Sequence, residues 1–196
     1  MGKRQLLRFH DWAQSWFYYL VLHRFYYYGF TQTRELYMRL VASNERQRLG
    51  RPLEILEIGS FRGHSAILWN DYGHVTCVDP WPDPLTRAIF WRNLRLAHCQ
   101  VTEIQGRSPN ALWCLSKTFD LIYIDGDHSY EACLHDLKAS ARLLRDGGIL
   151  CGDDFKPEEP GVIQAVREYL GFGYMVGGSA FYAARLMGGQ WHSYAE

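Results

Sequence analysis

From Leu53 onward the sequence alternates short apolar runs with amphipathic stretches, and this alternation constrains the fold more than any other feature. Leu53–Ile58 (LEILEI) ends at Gly59 and predicts a buried strand. His64–Asp71 follows as a helix, and His74–Val78 (HVTCV) as a second strand ending at Asp79-Pro80. Leu85–Ala97 has helical spacing, with Pro84 suited to its first turn. Val101–Ile104 gives a third strand, and Ser108–Leu115 a short helix with Ser108 as its cap. Phe119–Ile124 (FDLIYI) is the fourth strand. In the next segment Tyr130, Cys133, Leu134, Leu137, Ala141 and Leu144 share one helical face, with Ser129 as cap and Gly147 as stop. Gly148–Cys151 opens a fifth strand and Gly161–Leu170 a further helix. Residues 173–186 read as two strands joined by Gly-Gly-Ser, a hairpin signal. Ahead of the first strand, Thr33–Leu49 reads as a helix.

Strands separated by helices run parallel, with helices on both faces of the sheet. The expectation is an α/β, Rossmann-like fold: a mostly parallel, seven-stranded sheet with a C-terminal antiparallel hairpin. At 196 residues the chain has the length of roughly one domain. Its 21 basic and 21 acidic residues balance, which argues against a generally basic nucleic-acid binder. The balance hides a division. Residues 1–51 carry nine Lys/Arg and three Asp/Glu, and 12 of the 30 aromatic residues fall in the first 40 positions. Residues 1–50 are therefore read as a helical, aromatic and basic extension (a lid, dimer arm or substrate arm), and 51–196 as the main domain. Trp12–Phe30 contains Gln14, His23 and Arg24 and is rich in Trp and Tyr, unlike the ~20 mostly apolar residues of a bilayer span. A transmembrane span is rejected. Peripheral membrane contact and a homodimer contact stay open for this segment. The five cysteines form no C-x-x-C pair, so zinc and dithiol chemistry lack support, and a reduced, cytoplasmic setting fits.

Ligands of open α/β sheets bind at the carboxyl ends of the strands. The first such end reads Glu57-Ile58-Gly59-Ser60-Phe61-Arg62-Gly63-His64-Ser65. Gly59 and Gly63 allow a sharp turn and close approach to a ligand. The spacing is not G-x-G-x-x-G, which disfavours a pyrophosphate cradle and an NAD-dependent oxidoreductase. Asp79, at the end of the second strand, suits hydrogen bonds to a ribose diol. The fourth strand ends in Asp125-Gly126-Asp127-His128 and the fifth in Asp153-Asp154. Three carboxylates, Asp125, Asp153 and Asp154, at neighbouring strand ends repel unless a cation neutralises them. All-oxygen donors point to a hard ion such as Mg2+. Asp127 and His128 stand beside this cluster as candidate proton carriers.

These residues resemble the class I S-adenosylmethionine-dependent methyltransferases, in particular the metal-dependent O-methyltransferases of the catechol and caffeoyl-CoA type. LEIGSFRGHSA is similar to the first motif of that group. LIYIDGDHSYEACLHDLKASARLLRDGGILCGDD is closer still to a bacterial branch acting on sugars and natural products, the macrocin- and novobiocin-type enzymes. The likeness covers about residues 50–186. It implies a class I methyltransferase fold, with S-adenosylmethionine and Mg2+ as cofactors and the hydroxyl of a small molecule as acceptor. It implies that Glu57, Gly59, Ser60, Phe61, Gly63, Ser65, Asp79, Trp81, Ser108 and Asp125 form the cofactor site. Within that set Ser65 and nearby amides would hold the methionine carboxylate. Asp79 would hold the ribose, while Trp81 and Ser108 would lie by the adenine. Asp125, Asp153 and Asp154 would bind the metal. The catechol-type enzymes have Asn at the place of Asp154 and a Lys base at the place of His128. In the natural-product branch an Asp aligned with Asp127 is the base, so Asp127 is the first candidate and His128 the second. DNA amino-methyltransferases carry D/N-P-P-Y/F after the fourth strand, whereas IDGDH stands here, so nucleic acid is not expected as substrate. The competing reading is a catalytically inactive protein of the same fold that binds a membrane surface or partner through its aromatic N-terminal segment.

Overall fold

The computed structural model describes residues 32–171 and 180–194. The aromatic segment Trp12–Phe30 and the expected Gly-Gly-Ser turn lie outside these residues. The elements follow the expected order. Helix α1 (Gln32–Leu49) precedes β1 (Leu53–Ile58), α2 (His64–Asn70), β2 (Gly73–Asp79), α3 (Pro84–Leu96) and β3 (Val101–Gln105). Then come α4 (Asn110–Trp113), β4 (Phe119–Ile124), α5 (Tyr130–Leu143), β5 (Leu144–Gly152), α6 (Pro160–Leu170), β6 (Tyr182–Met187) and β7 (Gln190–Ser193). They form one seven-stranded sheet of order β3-β2-β1-β4-β5-β6-β7. The first five strands are parallel, and β6 and β7 each pair antiparallel with the strand before them in that order. This is the Rossmann-like sheet that the alternation predicts.

A parallel sheet covered on both faces needs strands that are apolar throughout. β4 meets this demand, since all its residues are buried. Alternation along the strand sorts them between two cores. Ile122 and Ile124 join Leu137, Val162 and Val166 beneath α5 and α6. Leu121 and Tyr123 join Met38, Trp69 and Phe90 beneath α1, α2 and α3. The polar exception in β4 is Asp120, which is buried and accepts hydrogen bonds from Arg51 at 2.8 Å, from Arg145, and from the Glu54 amide at 2.8 Å. Cys77, Cys133 and Cys151 are buried free thiols, and desolvation pushes each well above the usual thiol range. Among the described residues no helix is long and apolar enough to cross a membrane.

Three local expectations need correction, and one hairpin is added. The long amphipathic helix α5 stops at Leu143: Leu144 takes extended backbone (ψ 135°) and pairs with Phe119, so Gly147 (φ +77°) lies inside β5 instead of ending the helix. Ser129 occupies the N-cap position of α5 without a capping bond from its side chain, and Asp127 Oδ1 instead accepts the Ser129 amide at 2.9 Å. Ser108 stands outside α4, which begins at Asn110 with Pro109 at its N-cap position. The described hairpin is β6–β7, and Gly188 and Gly189 turn it with φ of +57° and +77°, the left-handed pair that a tight hairpin requires. The strand β7 beyond that turn was not anticipated. α3 behaves as its sequence implies, with Pro84 in its first turn and Asp83 accepting the Leu85 amide at 3.2 Å.

Candidate active site

The carboxyl ends of β1, β2, β3 and β4 open onto a cavity of about 440 Å³, lined among others by Gly59, Phe61, Asp79, Ser108, Asp125 and Asp127. That volume lies within the ~300–1,000 Å³ of small-molecule sites. β1 and β4 meet closely at its floor, where the Asp125 amide donates to Ile58 O at 2.8 Å. Gly59 has φ +88°, and a Cβ there would lie 1.8 Å from Asp125 O. Only glycine fits both the conformation and the contact.

Asp79 organises the loop that follows. Its Oδ2 accepts the Phe61 amide at 2.9 Å, and its Oδ1 accepts the Trp81 amide at 2.7 Å. The Trp81 indole then donates to Phe61 O at 2.7 Å, and its ring is buried 4.8 Å from the Phe90 ring. Trp81 thus packs behind the loop, and Pro80 takes its place on the cavity wall. Phe61 itself stays exposed at the mouth. Each Asp79 oxygen keeps a lone pair for a further donor. Gly63 (φ +82°) turns the chain into α2 where a Cβ would press on the Phe90 ring at 2.9 Å. Glu57, Ser60 and Ser65 are buried beneath the loop, and the Cys77 thiol donates to Glu57 Oε2 at 3.6 Å. Burial raises Glu57 to about 7, against the lowering effect of Ser65 and Ser60.

Beside the cavity lies the acid cluster. Ligand atoms of Asp125, His128 and Asp154 fall within 4.8 Å of one another. His128 Nε2 is 3.0 Å from Asp154 Oδ2 and 3.9 Å from Asp125 Oδ1, while its Nδ1 is 3.4 Å from Glu159 Oε1. Hydrogen bonding to Asp125 and Asp154 raises His128 to about 10. Burial raises the Asp154 carboxyl, but bonds from His128 and Lys156 outweigh it and bring the group to about 2. Tyr123, fully buried in β4, donates to Asp125 Oδ2 at 3.4 Å. Asp153 does not point into the group. It forms an ion pair with Arg34 of α1, and its buried Oδ1 has no hydrogen-bond partner among the described residues.

The structure therefore gathers Gly59, Phe61, Asp79, Ser108, Asp125 and Asp127 around one cavity. It sets Glu57, Ser60, Ser65 and Trp81 behind that cavity as buried support. It joins His128 to Asp125 and Asp154 and turns Asp153 toward α1. Sequence reading missed Arg34, Lys156 and Asp136. The first two are distant or flexible cations with no periodic signal. Asp136 was visible as a polar residue beside the apolar stripe Cys133, Leu134 and Leu137.

A glycine turn at the end of β1, an acid at the end of β2 and a carboxylate cluster after β4 and β5, on this strand order, define the class I methyltransferase fold. A family profile described as a methyltransferase domain matches residues 56–155, just over half of the chain. The chain belongs to that methyltransferase family. Solved structures agree on the fold. The O-methyltransferase TomG from Streptomyces achromogenes, solved in complex with SAM and involved in tomaymycin synthesis, is 19% identical. Its TM-score is 0.65, with 82% of each chain covered. The O-methyltransferase NovP is 19% identical with TM-score 0.66, covering 79% of each chain. CalS11, a TDP-rhamnose 3'-O-methyltransferase of calicheamicin biosynthesis, is 20% identical with TM-score 0.58, covering 77% of this chain and 80% of its own. A search of curated proteins gives no match.

Proposed function

We propose that the protein is an S-adenosylmethionine-dependent, Mg2+-dependent O-methyltransferase acting on a hydroxyl of a small molecule of the sugar, phenolic or natural-product type. The observation that carries this reading is Asp125, which lines the nucleoside-sized cavity and also belongs to the carboxylate cluster. One residue thus touches both the place for a methyl donor and the place for an activated acceptor. TomG, NovP and CalS11 are O-methyltransferases by name, and TomG was solved with SAM.

In this reading Gly59 and Phe61 admit the cofactor and Asp79 receives its ribose hydroxyls. Glu57, Ser60 and Ser65 fix the loop from below, and the methionine carboxylate lies toward Gly63 and the first turn of α2. The metal fits the residues present. Asp125 and Asp154 offer carboxylate oxygens within 4.8 Å of each other, hard donors of the kind a divalent ion takes, and the orphaned, buried Asp153 Oδ1 would join them once its pair with Arg34 opens. Bound there, a divalent ion supplies Lewis acidity that lowers the pKa of an acceptor hydroxyl. Asp127, on the cavity wall two residues from Asp125, takes the proton as the oxygen bonds the sulfonium methyl carbon and the carbon–sulfur bond breaks. His128 is the second candidate base. Its pairing with Asp154 and Asp125 keeps it protonated and places it among the ligands instead.

The test is transfer of radiolabelled methyl from S-adenosylmethionine to two probe acceptors, catechol and TDP-rhamnose, with and without EDTA. It is paired with Mn2+ titration followed by electron paramagnetic resonance. The reading expects transfer to at least one probe that EDTA abolishes, and Mn2+ binding that Asp154→Ala weakens at least tenfold. Full transfer in EDTA overturns the metal role.

A further inference from the structure

The cavity holds a buried acid that the chemistry above does not use. Asp136 lies on the inward side of α5, is 2% exposed, and lines the cavity with Ala132 one turn earlier. Its Oδ1 has no hydrogen-bond partner among the described residues. Ser108, in the loop after β3, lines the same cavity. Its Oδ2 lies 3.1 Å from where a Cβ would stand on Gly126, so the bare glycine lets the acid pack close against the end of β4.

A buried oxygen without a donor is costly, and such atoms persist where a ligand completes them. Desolvation raises Asp136 to about 6. Above pH 7 the group is therefore mainly a carboxylate, which only accepts hydrogen bonds. Asp79 ends β2, and Asp136 sits over the end of β4, so the two flank β1. They are separated by about two strand spacings, or roughly 10 Å. Between them the wall is apolar, with Ile58, Val78 and Ala132. A ribose at Asp79 would direct its base along this wall.

We infer that Asp136 selects the purine of the cofactor, its free oxygen accepting a hydrogen bond from the exocyclic amino group. The inference rests on the cofactor reading above. It predicts discrimination, because a buried acceptor built for a donor rejects an analogue that presents an oxygen instead.

The experiment is calorimetric titration of the full chain with S-adenosylhomocysteine and with its 6-oxo analogue, S-inosylhomocysteine. The wild type should bind the amino form at least tenfold more tightly. Asp136→Asn is isosteric and can present a donor or an acceptor, so it should narrow that ratio at least fivefold. A merely structural acid would leave the ratio unchanged. Equal binding of both ligands by the wild type overturns the inference, even where the variant does not fold. A folded Asp136→Asn variant that keeps the full preference overturns it too. Absence of any binding of S-adenosylhomocysteine by the wild type removes the cofactor reading itself, and this inference with it.

Discussion

Arg34, near the start of α1, forms an ion pair with Asp153 at the end of β5, and both side chains are largely buried. The helix that precedes the sheet is thus tied to the edge of the candidate metal site. α1 is also part of the core, through Met38, Val41 and Ala42. Removing the guanidinium leaves a buried charge unpaired, which costs about 3 kcal/mol. Arg34→Ala should therefore lower the melting temperature by roughly 6–12 °C. Millimolar Mg2+ should recover part of that loss by giving Asp153 another cation. Scanning calorimetry with and without Mg2+ checks both parts.

Asp120 is the polar anchor at the amino end of β4, the central strand. Burial raises its pKa, but the bonds from Arg51, the Glu54 amide and Arg145 outweigh this and hold it at about 2. A carboxyl depressed on folding stabilises the protein above its unfolded pKa and loses that contribution as pH falls toward the folded value. Stability should drop between about pH 4 and pH 2. Asp120→Asn should cost about 2 kcal/mol at pH 7, since it leaves two arginines without their acceptor. Urea titrations of both proteins should differ at pH 7 and converge near pH 2.

Glu57 behaves in the opposite sense. Burial lifts it from 4.5 to about 7. The folded state keeps a proton that the unfolded chain releases, so stability falls as pH rises from about 4.5 to 7 and then levels off. The total loss is on the order of 3 kcal/mol. Glu57→Gln keeps the size of the side chain without the charge. Its stability should fall by about 3 kcal/mol less than the wild type's across that window, as measured by denaturant midpoints at half-unit pH steps.

Two left-handed glycines separate conformational strain from contact. Gly171 (φ +76°) has nothing within 4 Å of an added Cβ, whereas Gly59 (φ +88°) has Asp125 O at 1.8 Å. Gly171→Ala should cost about 1 kcal/mol from backbone strain alone. Gly59→Ala must also push β1 from β4 and should cost at least twice as much. Thermal denaturation of the two variants gives the comparison.

The alternation of strand and helix was readable because burial on both faces forces continuous apolar runs such as FDLIYI, bounded by glycine and capped helices. The strand-end acids were readable for the same reason: Asp79, Asp125 and Asp154 stand where apolar runs stop. Side-chain direction was not. Asp153 and Asp154 are neighbours in sequence, yet one faces Arg34 and the other faces His128, and only the packing of α1 decides that. Trp81 was placed near the ligand by position, but the left-handed backbone at Trp81 (φ +36°) turns its ring into the core. The end of α5 was misjudged because Leu144 suits a helix face and a buried strand equally well, and pairing with Phe119 settles it.

The central claim is that the cavity at the ends of β1 and β2 binds S-adenosylmethionine, and ligand-induced stabilisation tests it most directly. A ligand at a hundred times its dissociation constant stabilises the folded state by about 2.7 kcal/mol. For a chain of this size that is a rise of roughly 5–10 °C in melting temperature. S-adenosylhomocysteine should produce such a rise and NAD should not. A rise with NAD, with no response to S-adenosylhomocysteine at millimolar concentration, would contradict the account.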